Sequence, residues 1–411
     1  MKGPAPDQRS STLIAKRDLK MARSAHAFVR GSTDQFYEWL ASPKTTAIPA
    51  GPPVWICGDC HIGNLGPIGH VEGTAVVEMR DLDQTVIGNP AHDLVRLALS
   101  LAMASRSSDL PGVTTARLTE DLVAGYERSF EGDAVSEEIE DLPPPIRLIM
   151  RRAVKRTSRR LLDERLGKKR GKFELGRKFW RLADDEHEAV RRIVEQEPIR
   201  KLITKLEERD AEAPVTLVDA AFWVKGCSSL GLWRVAALVE FQLDGKKGNT
   251  ALALLDLKQA VKPVAPWAAG SDPGFSPAVR VLEGARRLAP ALGSRMLAGT
   301  LLERSVFVRE LLPQDLKVEL DRIDPTDARR LAFYLGKVVG RAHRRQMTTE
   351  HTLAWTAELA AHRTKNLDAP SWLWQALIQL VALHEHAYLE HCRHYALAAA
   401  RVAEPTESED L

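Results

Sequence analysis

Residues 215–262 limit the fold of this chain more than any other stretch, because their apolar residues follow the pattern of strands rather than helices. They read V-T-L-V-D-A-A-F-W-V, K-G-C-S-S-L-G, L-W-R-V-A-A-L-V-E-F-Q-L and, beyond the polar turn 244–249, A-L-A-L-L-D-L-K. Runs of β-branched and aromatic residues broken by glycine turns predict an antiparallel meander. A helix at 277–291 and a strand at 305–311 extend it. Around this block the periodicity is helical, over 1–41, 93–104 and 115–208 before it and 327–345, 352–361 and 370–401 after it. A small antiparallel sheet set apart from many helices predicts an α+β protein.

With 411 residues, 44% hydrophobic and 27% charged, the chain is composed as an ordinary globular protein able to bury one large core or several smaller ones. The net charge of +3 does not call for nucleic acid. Charge is unevenly placed, however. Residues 147–178 carry fourteen Lys/Arg against three acids, while 404–411 are acidic. The basic run reads as a solvated helical face and leaves an anionic ligand or nucleic acid open. The first 22 residues hold no continuous apolar segment. No run of about 18 apolar residues suits a membrane span. Four cysteines (57, 60, 227 and 392) do not make a secreted framework in a chain this long. A cytoplasmic protein with reduced thiols and no membrane partner is expected.

Residues 54–93 hold the densest chemistry. Apolar runs at 54–57 and 75–79 are expected to pair as strands around the loop 58–70. Asp59, Asn64, Asp81 and Asp83 fall on the adjoining loops, a donor set suited to Mg²⁺ and phosphate. Two other strings compete. Cys57-Gly-Asp-Cys-His61 matches a haem attachment pattern or half a zinc site. Asp81-Leu-Asp-Gln-Thr85 resembles the first motif of haloacid-dehalogenase-type phosphatases, where Asp81 would be the nucleophile and Asp83 the acid/base.

Gly58-Asp-Cys-His-Ile-Gly-Asn64 resembles the G-D-x-H-x-x-N loop of aminoglycoside-phosphotransferase-like and choline-kinase-like enzymes. The resemblance implies that Asp59 is the base for the acceptor hydroxyl, that Asn64 and Asp81 bind Mg²⁺ with Asp83 beside them, and that His61 and Asp93 support the loop. Cys57 departs from the histidine usual before Gly-Asp. It also implies a nucleotide half. Lys225–Gly231 would be the glycine-rich phosphate loop, with Gly226, Ser228, Ser229 and Gly231 facing ATP and Ser228 replacing the middle glycine. Lys258 would hold the phosphates, Glu283 would pair with it, and 305–311 would lead to the hinge where adenine stacks. Arg30 is a candidate phosphate or carboxylate contact.

In kinases the glycine loop, lysine and glutamate precede the catalytic loop; here they follow it. The implied fold is therefore a protein-kinase-like, two-lobed α+β fold, circularly permuted, with a large helical insertion. The expected divisions are 1–114 (catalytic-loop half), 115–214 (helical insertion), 215–315 (nucleotide lobe) and 316–411 (remaining helices and acidic tail). The pattern as a whole also resembles the bacterial family called domain of unknown function 2252, through M-A-R-S-A-H-A-F-V-R-G at 21–31, both acidic motifs, 226–231, L-K-Q-A at 257–260, R-V-L-E at 280–283, F-V-R-E-L at 307–311 and Ala342-His343. The implied activity is transfer of phosphate from ATP with Mg²⁺ to a hydroxyl of a small molecule. A nucleotide-binding regulatory module would share every motif.

Overall fold

The computed structural model describes residues 3–396 apart from 44, 46–47, 71–73, 109, 133–138, 167–170, 206–208, 210–213, 228, 244–248, 317–323 and 362. Most of the polar turn 244–249, Ser228 and the acidic tail therefore lie outside the described residues.

The chain opens with three helices, α1 (Arg9–Met21), α2 (Ala25–Val29) and α3 (Thr33–Leu40). Short strands follow: β1 (Val54–Ile56), β2 (Leu65–Gly69), β3 (Ala75–Met79) and β4 (Val86–Gly88). Helices α4 (Pro90–Arg106), α5 (Gly112–Arg128), α6 (Pro144–Lys155) and α7 (Ser158–Leu166) lead to β5 (Phe179–Trp180), α8 (Asp184–Val194) and α9 (Glu197–Thr204). The main sheet strands are β6 (Thr216–Trp223), β7 (Arg234–Gln242), β8 (Thr250–Gln259), β9 (Met296–Leu301) and β10 (Arg304–Leu311). Between β8 and β9 lie α10 (Pro277–Leu288) and α11 (Pro290–Gly293), and α12 (Pro325–Arg344), α13 (Thr349–Ala361) and α14 (Ser371–His391) complete the helical part. The fold is α+β.

The six-stranded sheet runs β5-β6-β7-β8-β10-β9, antiparallel throughout. Its strands alternate sides as pleated strands must. Val235, Ala237, Val239, Leu255 and Leu257 pack against α1, α8 and α9 through Leu13, Val190, Ile193 and Ile203. Ala221, Trp223, Ala236, Leu238, Leu254 and Leu311 turn to the other face, where Leu161 and Leu166 of α7 and Phe173 cover them.

Two expectations need correction. The runs 54–57 and 75–79 do not pair with each other: β1 pairs with β4, Val54 opposite Gly88, and β3 pairs with β2, Met79 opposite Leu65. His70 N–H donates to Thr74 O (2.8 Å), and β3 lies back on L-G-P-I-G, whose two glycines and proline hide a strand from propensity. The division at residue 114 also misplaces the N-terminus. Helix α1 lies on the sheet, with Leu13 in its core and Arg9 bonded to Glu186 at 2.7 Å, a carboxylate that also accepts the Trp233 indole N–H.

In the helical part α4 is buried from Pro90 to Ser105 apart from half-buried His92. Helices α5 and α12 cross so closely that a Cβ on Gly125 would stand 1.8 Å from Phe333 O, and one on Gly336 2.1 Å from Leu122 O. Only glycine lets the two backbones touch there. Substituting alanine at Gly336 is expected to push the helices apart and cost a few kcal/mol, on the order of an overpacked core site, as read by urea unfolding.

Glu78 on β3 is 9% exposed and accepts the Ala291 N–H at the start of α11 (3.1 Å). Burial pushes its carboxyl up from 4.5 to about 7, against the opposing pull of Arg345. The folded state thus holds the proton more tightly than the unfolded chain. Its contribution to stability is expected to fall as pH rises through the window from about 4.5 to about 7 and to level off above it. In Glu78→Gln that pH dependence should vanish from denaturant titrations, leaving a more stable protein than wild type at pH 8.

Candidate functional site

Strand β1 ends at a turn that only glycine fits. Gly58 has φ +74°, and a Cβ there would lie 2.2 Å from Gln84 O. The turn is held by Asp93, a fully buried carboxylate in the first turn of α4. Asp93 accepts the Cys57 N–H (2.7 Å) and the Gly58 N–H (3.0 Å) and meets His343 Nε2 of α12 at 3.2 Å. His343 Nδ1 reaches the Tyr126 hydroxyl (3.0 Å), which accepts the Trp355 indole N–H (3.1 Å). Asp93 therefore braces the loop, and its tie extends through α12 to α5 and α13.

Asp59 follows at once, 6% exposed. Arg96, one turn after Asp93 on α4, donates Nε (3.2 Å) and Nη2 (2.9 Å) to Asp59 Oδ1. Asp59 Oδ2 stands 3.9 Å from His61 Nε2. Burial raises the Asp59 carboxyl above its ordinary range although Arg96 opposes it. Burial, with Arg30 and Arg96 nearby, holds His61 well below its usual value, so the ring is neutral. His61 O accepts the Asn64 N–H (2.8 Å), and Asn64 Nδ2 donates to Asp59 O (2.9 Å), which leaves the Asn64 amide oxygen as an acceptor. Cys57 and Cys60 are buried free thiols beneath this loop.

Lys258, on β8 and 2% exposed, comes from 177 positions away to place Nζ 3.5 Å from Asp81 Oδ1. The same ammonium bonds Asp83 Oδ2. Loss of water works to raise Asp81, but Lys258, Arg309 and Arg234 outweigh it and hold the carboxyl well below the usual range. Burial and the Asp81 charge push Asp83 up to about 6. Below the pair lies a second ionic set: Asp256 accepts Arg234 Nε at 2.8 Å and Arg309 Nη2 at 3.1 Å.

Glu283 does not pair with Lys258. It accepts Arg286 Nη1 (2.7 Å) and Arg287 Nη1 (3.1 Å) one turn along its own helix, the cheap local geometry for a helical carboxylate. Lys258 is already matched by two aspartates. The side chain of α10 that reaches the cleft is Arg280, whose Nη2 donates to Asp83 O (2.7 Å) and Val261 O (3.0 Å) and whose Nη1 caps Thr85 O.

The loop 224–231 joins β6 to β7. Gly226 (φ +117°) and Gly231 (φ +113°) take the left-handed backbone, Ser229 is buried beside Gly226, and Lys20 of α1 donates to Gly226 O at 2.5 Å. Burial raises the Cys227 thiol against the opposing pull of Lys20 and Arg30, and Cys227 packs with Met21 and Phe28. Arg30 sits against the Asp59–Asn64 turn: a Cβ on Gly63 would be 3.1 Å from its guanidinium carbon, and its buried Nε has no hydrogen-bond partner. Leu311, at the end of the expected hinge strand, is packed against the α7 cluster.

The donor set fits Mg²⁺. Asp81 and Asp83 already share one cation, the Lys258 ammonium, and Asp83 Oδ1 is a buried acceptor without a partner. Among the described residues no group of three or more His, Cys, Asp or Glu could enclose a metal. Mg²⁺ needs less, since one or two carboxylates with water and substrate phosphates suffice. Sequence reasoning missed Arg96 and Arg280. For Arg96 the available signal was an arginine in the middle of the apolar helical run L-V-R-L-A-L.

These elements define an α+β protein in which a lysine-bearing antiparallel sheet closes on a carboxylate-rich loop of the helical part. The chain belongs to the DUF2252 family, described as uncharacterized proteins conserved in bacteria, whose model matches residues 9–394. No curated protein and no solved structure matches it. Among the described residues no helix is long and apolar enough to cross a membrane.

Asp93→Ala leaves His343 and two buried N–H groups without their acceptor and is expected to destabilise by about 3–5 kcal/mol in urea titration. Glu283→Gln breaks only surface pairs and should change stability by less than about 1 kcal/mol.

Proposed function

We propose that this protein is a phosphotransferase with a kinase-like, circularly permuted two-lobed fold, moving phosphate from ATP to a hydroxyl of a small molecule with Mg²⁺. The observation that carries the reading is the meeting of Lys258 with Asp81 at 3.5 Å, next to the Asp59–Asn64 turn. Permutation has its own support. Gln346, just past α12, accepts the Trp55 N–H (2.9 Å) and donates to Trp55 O (3.1 Å). The end of α12 thus lies against the start of β1, where an unpermuted chain would run directly from one into the other. Permutation costs little when ends are moved to other connections.

In this reading Asp59 Oδ2, the oxygen not held by Arg96, takes the proton of the acceptor hydroxyl. The hydroxyl oxygen forms the new P–O bond to the γ-phosphorus while the bond to the ADP oxygen breaks, and ADP leaves with that electron pair. Asp81, Asn64 and Asp83 would hold Mg²⁺, which when bound supplies neutralising charge to the phosphate oxygens. Lys258 and Arg30 bind phosphate oxygens. Arg96 fixes the carboxylate of Asp59 in one rotamer, the positioning on which such transfers depend.

Mg-ATP is expected to raise the melting temperature, and Asp81→Ala to abolish the Mg²⁺-dependent part of that shift. Asp59→Asn should keep the shift and lower turnover by roughly 10²–10⁴-fold. No shift with any nucleotide would overturn the proposal. A second reading, a nucleotide-binding regulatory module, draws support from the buried Arg96–Asp59 pair, which ties up one oxygen of the base. It is the outcome if Mg-ATP binds and no acceptor hydroxyl, water included, is ever phosphorylated.

A further inference from the structure

A cavity of about 400 Å³ lies between α7, the end of β6 and the segment after β10. Its lining includes Arg80, Arg156, Arg165, Lys178, Lys225 and Arg309 against two carboxylates, Glu164 and Asp315. Both acids are already engaged. Asp315 Oδ1 accepts Arg295 Nη2 at 2.9 Å, and Glu164 pairs with Arg156 and Arg160. Arg309 is matched by Asp256. Arg80, Arg165, Lys178 and Lys225 form no ion pair among the described residues.

Apart from the exposed Lys178, the unmatched groups are held in place rather than dispersed in solvent. The Nε atoms of Arg80 and Arg165 are buried without a hydrogen-bond partner. Lys225 Nζ rests 4.0 Å from the Trp223 ring centre and makes no hydrogen bond among the described residues. Burial, with Arg234 nearby, draws the Lys225 ammonium well below its ordinary pKa. A second cavity of about 380 Å³ shares Arg156 and Glu164 with the first and adds Arg151, Arg152, Lys155 and Arg160. Cations of the basic 147–178 run therefore converge on two adjoining hollows.

Desolvated cations without counter-charges cost free energy that a bound anion would recover. Guanidinium groups set side by side suit phosphate oxygens in particular. We propose that this cavity is a binding site for an oligophosphate, the linear polyanion of a phosphorylated small molecule. The proposal goes beyond the phosphotransferase reading and does not require turnover.

Isothermal titration of tripolyphosphate into the full chain tests it, without Mg²⁺ and at fixed ionic strength so that general screening is constant. Wild type is expected to bind one tripolyphosphate. Arg165→Gln and Lys225→Met should each weaken it at least tenfold with little change in melting temperature, and Lys258→Met should leave it within about threefold. No binding by wild type, or unchanged binding in both cavity variants, would overturn the site. Loss in Lys258→Met with retention in Arg165→Gln would also overturn it, by placing the anion at the Asp81 cleft. Binding of an RNA oligonucleotide but not of tripolyphosphate would overturn it in favour of a nucleic-acid surface. A Mg-ATP shift with no tripolyphosphate site would sink this proposal alone, and the reverse result would sink the phosphotransferase reading alone.

Discussion

Asp93 has no access to water, yet it is placed where two backbone N–H groups and an imidazole converge. Removing a carboxylate from water is costly, and only a full set of donors makes it tolerable. That requirement couples distant parts of the chain. The Gly58 turn forms only with α4 beneath it, α4 is locked only with His343 of α12 across from it, and α12 sits close enough only because Gly125 and Gly336 let it meet α5. Asp59 and Asn64 inherit their positions from this arrangement. Rigid placement of a loop by buried helices is the usual way a site gains precision, since loops supply little of their own.

The sequence made the fold class, the meander and most helices legible because each shows as a periodicity of its own residues. Partnerships were harder. β1 and β3 read as a pair because they are the two plain apolar runs, whereas their true partners are L-G-P-I-G and the three-residue V-I-G. The β9–β10 hairpin turns through Leu302 and Glu303 at φ 47° and 59°, without the Asn-Gly signal that announces such turns. At the site, Asp59, Asn64, Asp81, Asp93 and Lys258 were visible as a motif and do come together. Glu283 was chosen by order along the chain, and order does not report helical phase or competition. Arg286 and Arg287 claim it locally, while Arg280 turns inward. Arg96 escaped notice because the value of a buried arginine depends on which carboxylate faces it, and that is a property of the folded chain.

The cleft between sheet and helical part is lined by charged hydrogen bonds, although α10 packs apolar residues beside it. Lys258 holds Asp81 and Asp83, Arg280 holds the carbonyls of Asp83 and Thr85, and Arg309 donates to Arg80 O at 3.0 Å. Each is a protein cation occupying acceptors of the loop that carries the proposed metal ligands. Binding of a metal and phosphates at that loop is therefore an exchange of partners: the two aspartates would trade an ammonium for a metal ion, and the ammonium would trade aspartates for phosphate. Such an exchange keeps the buried Lys258 ammonium paired in both states, and it leaves the seam with as many ionic contacts as before. Apolar packing offers no comparable substitution, since its contacts are lost when surfaces part and nothing replaces them. A seam built from exchangeable charges lets the same residues hold the two parts together and remain available to a ligand, which ties the stability of this interface to the chemistry proposed for it.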